Sequence, residues 1–138
     1  MTEPHRATIL VVEDNADNMF VVIELISRMP SVHFVDGYVT GRELFRMIES
    51  RPTLIPELIL LDIQIPGEDG YMVLKRIRLE PRLAQTRVVA LTANVMPQDI
   101  EKARLAGFDG FIGKPISFHR FPEQIDRILQ GESVWESR

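Results

Sequence analysis

Residues 58–71 read LILLDIQIPGEDGY. Four apolar residues run up to a single carboxylate, Asp62, and one proline and two glycines follow before Tyr71. A short, uninterrupted apolar run bounded by turn residues reads as a strand buried on both faces, and such strands belong to parallel sheets covered by helices. The pattern recurs: TILVV at 8–12, VHFVDGYV at 32–39, RVVAL at 87–91 and GFI at 110–112 are the other strand candidates. Between them the spacing turns helical. Gly41, Leu44, Phe45 and Ile48 keep an i, i+3, i+4, i+7 stripe, and Phe118, Phe121, Ile125, Ile128 and Leu129 form a similar stripe read as core. The first helix is expected to begin near Asn15, capped by Asp14 or Asn15, and to stop before Pro30; the fourth should run from Pro97 to Gly107. Five strands alternating with five helices predict an α/β, doubly wound parallel sheet.

Bulk properties narrow the function. The chain of 138 residues suffices for one domain with its own core, and 45% apolar against 26% charged residues is ordinary globular composition. Cysteine is absent, which removes disulfides, thiolate metal sites and cysteine nucleophiles and points to a reducing compartment. No apolar run reaches membrane-span length and no leader pattern opens the chain, so a cytoplasmic location without membrane contact is expected. The net charge of −4 gives no reason to expect direct nucleic-acid binding. Residues 1–6 read as an N-terminal tail and 131–138 as a C-terminal tail with no output domain; Trp135 in the latter is expected to be a loose end rather than docked.

In open parallel sheets, ligands gather at the carboxyl ends of the strands. Those ends carry Glu13-Asp14, Asp62, Thr92 and Lys114, at separations of 48, 30 and 22 residues from Asp14 onward, the lengths of whole βα units. Singly, each has a plainer explanation as a cap, a turn hydroxyl or a solvated charge. Independent capping does not explain why all four ends are polar while every strand is apolar, so one shared site is expected. Three carboxylates at one edge need positive charge. Lys114 supplies one, and an all-oxygen site suits Mg²⁺, which takes phosphate as a further ligand. The expected chemistry is phosphoryl transfer with Asp62 as nucleophile.

The set VVEDN (11–15), LLDIQIPGEDGY (60–71), ALTAN (90–94) and GFDGFIGKPI (107–116) resembles the receiver domain of two-component response regulators, over residues 7–130. The resemblance implies a flavodoxin-like fold with strand order 2-1-3-4-5. It implies that Asp62 accepts a phosphoryl group from a histidine kinase or histidine phosphotransfer protein. Asp14, Asp62 and the Gln64 carbonyl would bind Mg²⁺ directly and Glu13 through water. Lys114 would pair with a phosphoryl oxygen, the Lys114–Pro115 bond would be cis, and Thr92 and Phe111 would act as the switch. Such a chain is not an enzyme in its own right but signals to a downstream target protein through the face of the fourth helix, fifth strand and fifth helix. The fourth helix has few large apolar residues, mainly Ile100 and Leu105, so its packing is expected to shift more readily than that of the fifth.

Phe111 stands where many relatives carry tyrosine, so it can report only by burial; Ile65 replaces a common methionine, a volume-conserving change. Gln64 and Asn94 occupy positions that tune phosphoryl lifetime. A haloacid-dehalogenase-type enzyme needs an acid two residues after the nucleophile, where this chain has Gln64. A flavin mononucleotide carrier needs a hydroxyl-rich loop where this chain has EDN. The alternative within the family is a phosphorylation-independent scaffold receiver, although degenerate versions lose the acid pair, the acceptor or the lysine. His5, His33 and His119 are too scattered for a metal cluster, and Lys75, Arg76, Arg78, Arg82 and Arg87 read as a solvated face.

Overall fold

The computed structural model describes residues 6–65, 67–93 and 95–136. In chain order the elements are β1 (Ala7–Val12), α1 (Ala16–Ser27), β2 (Val32–Tyr38), α2 (Gly41–Ser50), β3 (Leu58–Asp62), β4 (Gln64–Ile65), β5 (Glu68–Asp69), α3 (Gly70–Arg78), β6 (Arg87–Thr92), α4 (Pro97–Ala106), β7 (Gly110–Gly113), α5 (Phe121–Leu129) and β8 (Trp135–Glu136), with a 3₁₀ turn at Pro81–Leu83. The main sheet is parallel throughout, in the order β2-β1-β3-β6-β7-β8. Its first five members reproduce the expected 2-1-3-4-5 arrangement.

Strand alternation divides the core in two. Leu10 and Val12, Ile59 and Leu61, and Val88 and Ala90 pack toward α2, α3 and α4. Their neighbours Ile9 and Val11, Leu58 and Leu60, and Val89 and Leu91 pack toward α1 and α5. All twelve are 0% exposed, as central strands covered on both faces should be. Burying one such side chain contributes about 1.5–3 kcal/mol, so these three strands carry much of the favourable free energy of folding.

α1, α2 and α3 begin where polar side chains cap them. Asn15 accepts from the Asn18 N–H at 2.9 Å, Thr40 from the Glu43 N–H at 3.1 Å and Asp69 from the Tyr71 N–H at 2.9 Å. The first helix therefore uses Asn15, not Asp14, as its cap. α4 begins at Pro97 and ends on Gly107, left-handed at φ 106°.

Several expectations fail. Two additional short strands, β4 and β5, pair antiparallel directly after Asp62. Phe118, read as part of a core stripe, precedes α5 and is exposed. Three of the arginines assigned to a solvated face bind main-chain oxygens. Arg78 reaches the Thr86 and Gly107 carbonyls, each at 3.0 Å, and Arg87 the Ile128 carbonyl at 3.1 Å. Arg82 donates to the carbonyls of Ile48, Arg51 and Leu54, tying the end of α2 and its following loop to the 3₁₀ turn. Trp135 is not loose: it and Glu136 form the sixth strand of the main sheet. Asn94 and His5 lie outside the described residues, as does the Ile65 side chain.

Candidate functional site at the carboxyl edge of the sheet

Glu13 follows β1, and its N–H is held by the Tyr38 carbonyl at 2.9 Å, extending the strand line by one residue. Its side chain is thereby turned inward and fully buried, whereas Asp14 is exposed at the mouth. Asp62 ends β3 and is 3% exposed. One carboxylate oxygen of each of Glu13, Asp14 and Asp62 lies within 4.8 Å of those of the other two.

The stretch after Asp62 fixes that carboxylate from below. Asp62 Oδ1 accepts the Gln64 N–H at 2.9 Å, an Asx turn that starts the β4–β5 hairpin. Gly67, at φ 72°, turns the chain back, and the Gly70 N–H returns to the Ile63 carbonyl at 3.3 Å. A Cβ on Gly70 would meet Ile63 Cα at 2.7 Å and the Ile63 carbonyl at 2.8 Å. Only glycine lets α3 start this close to the acid. This close approach was not anticipated from the sequence, although a glycine directly after a capping aspartate was its available signal.

Lys114 follows β7, its N–H bonded to the Thr92 carbonyl at 2.8 Å and its peptide bond to Pro115 cis. Its ammonium reaches Glu13 Oε1 at 2.6 Å and Asp62 Oδ2 at 2.9 Å, so one cation bridges two buried acids. At about 4 Å and an effective dielectric near 20, a like-charged pair costs roughly 4 kcal/mol, and Lys114 offsets part of this repulsion. Burial alone would lower the Lys114 pKa; hydrogen bonds and charge from Glu13 and Asp62 outweigh it and raise the pKa. The lysine therefore stays charged at neutral pH. Thr92 closes β6 at the same edge and is buried; Gln64 starts the hairpin with its side chain exposed; Phe111, in β7, is fully buried. Glu13 was expected chiefly as a water-mediated metal partner, and its close bond to Lys114 is an additional role.

Three acids and one lysine leave an excess of negative charge in an all-oxygen cluster that could hold a metal ion. The chain is similar to known proteins in sequence and in fold. The chain is 35% identical over 124 residues to the polar-differentiation response regulator DivK of Brucella ovis, spanning 88% of this chain and 95% of that one. Among solved structures, a LuxR-family two-component response regulator from Aurantimonas superposes with a TM-score of 0.79 at 23% identity, covering 94% of this chain and 89% of the other. The chemotaxis response regulator CheY4 of Vibrio cholerae superposes with a TM-score of 0.78 at 20% identity, covering 89% and 98% of the two chains. At such low identity the superpositions establish the shared flavodoxin-like fold. The family described as response regulator receiver domain matches residues 9–126, a span that contains every acid of the cluster and Lys114. The chain belongs to the receiver-domain family of response regulators, the signalling proteins of two-component systems.

Proposed function

We propose that Asp62 is the phosphoacceptor of this response regulator, and the observation that carries the reading is the Lys114 ammonium bridging Asp62 and Glu13 beside Asp14. An Asp62 carboxylate oxygen attacks the phosphorus of a phosphohistidine on a kinase or phosphotransfer protein. The new O–P bond forms as the N–P bond breaks, and the departing imidazole nitrogen keeps the electron pair and takes up a proton. Lys114 follows the transferred oxygens as charge builds on them, and the Thr92 hydroxyl completes the cradle. Asp14, Asp62 and the Gln64 carbonyl would hold Mg²⁺, with Glu13 one water away; the ion supplies charge neutralisation of the phosphoryl oxygens.

The same geometry argues against a turnover enzyme. Position 64 offers an amide where an ester phosphatase needs a general acid, so the acyl phosphate serves as a signal. That signal passes by protein contact to a downstream target through α4, β7 and α5, in a cytoplasmic setting. Phosphotransfer from a panel of histidine kinases, read by intact-mass spectrometry, tests the reading. A gain of one phosphate that disappears in Asp62→Ala and on chelation of Mg²⁺ is expected; transfer persisting in Asp62→Ala would refute it.

A further inference from the structure

β8 occupies the surface on which a signal from Asp62 would emerge. The Phe111 N–H donates to the Val134 carbonyl at 2.7 Å, and Phe111 pairs with Trp135 and Ile112 with Glu136. Gly110 makes the approach feasible: a Cβ there would meet the Val134 carbonyl at 2.7 Å. The segment alternates as a true strand does. Val134 is fully buried on the α5 side, Trp135 packs on the α4 side, and Glu136 returns to the α5 side.

Both flanking helices are tied to it. The Arg104 guanidinium of α4 stacks over the Trp135 ring at 4.3 Å. Arg120, at the start of α5, and Arg127 within it each reach Glu136 at 2.8 Å, and Gln124 donates to it at 2.9 Å. A three-residue segment thus links α4, the edge of β7 and α5. α4 is the less anchored of the two helices, since it buries only Ala103 whereas α5 buries Phe121, Gln124, Ile125 and Ile128.

We propose that residues 134–136 form an autoinhibitory strap that holds α4 and α5 against β7 in the unphosphorylated chain and is released when charge is added at Asp62. The inference rests on Asp62 being the phosphoacceptor. Its path is continuous through the sheet: Asp62 lies in register with Leu91, Leu91 with Ile112, and Ile112 with Glu136. A shift of α4 must break or drag the Arg104–Trp135 stack. Because coupling is reciprocal, loosening the strap must favour the phosphorylated state by the same factor that phosphorylation favours release.

Trp135 is the sole tryptophan, so its emission reports the strap alone. In the full chain with Mg²⁺, acrylamide quenching of Trp135 is expected to rise at least twofold on beryllofluoride addition or on phosphorylation by acetyl phosphate, and to stay constant in Asp62→Ala. Glu136→Gln and Arg104→Met retain the fluorophore and lie outside the acid cluster. Each is expected to raise basal quenching and to tighten beryllofluoride binding at least threefold. Phosphate gained at Asp62 with unchanged quenching, or wild-type beryllofluoride affinity in both variants, overturns the strap and leaves the acceptor assignment intact. No phosphate at Asp62 from acetyl phosphate or any kinase overturns both.

Discussion

Lys114 carries the charge balance of the acid cluster. Its removal leaves two buried carboxylates, Glu13 and Asp62, without their shared cation. Breaking a buried ion pair in this way typically costs about 3–5 kcal/mol. Lys114→Met is therefore expected to lower unfolding stability by roughly that amount in chelator, as measured by urea denaturation, with added Mg²⁺ recovering part of the loss. The convergence of the acids, the lysine and Thr92 was legible in the sequence because all of them follow or end apolar runs of one parallel sheet, although each alone has a plainer explanation. The partner of each was not legible. Whether Lys114 faces Glu13, Asp62 or solvent depends on side-chain paths that strand periodicity does not encode.

At the scale of single elements, glycine positions give the sharpest expectations. Gly70→Ala drives a methyl into the backbone of Ile63 and displaces the turn that orients Asp62. A displacement of about 1 Å at a reacting group can cost up to about a hundredfold in rate, so phosphorylation should slow by at least about tenfold, read as initial rate with acetyl phosphate. Gly107→Ala meets no neighbour but must adopt φ 106°; a loss of about 1–2 kcal/mol in stability without a change in phosphorylation rate is expected. The helices and long strands could be read from periodicity and caps, since their burial repeats over several turns or residues. The hairpin after Asp62 and the strand at Trp135 could not, because two-residue strands are too short to display a period. Phe118 misled for the opposite reason: it fits an apolar stripe, yet it falls before the first turn of α5 and is exposed.

For the molecule as a whole, the β8 segment is sensitive to acid in a defined direction. Hydrogen bonds from Gln124 and Arg127, with charge from Arg127 and Arg120, outweigh burial and hold the Glu136 pKa below its ordinary value. The charged groups around it are Arg120 and Arg127 from α5, Glu132 beside Arg127, and Arg104 of α4 across the Trp135 ring. A carboxylate whose native pKa is lowered contributes stability that is full above its unfolded value, about 4.3 for glutamate, and is lost as pH falls through the native value. Trp135 emission should therefore be flat around neutrality and shift only in acid, and Glu136→Gln should abolish that local step. At the far end of the sheet, Arg82 serves as the missing cation for the last turn of α2, which has no basic residue of its own, from more than thirty positions away in sequence. That long-distance cap ties two separate stretches of chain together. Amides near residues 47–51 and 81–84 should exchange with deuterium by a common opening event, and Arg82→Ala should uncouple them.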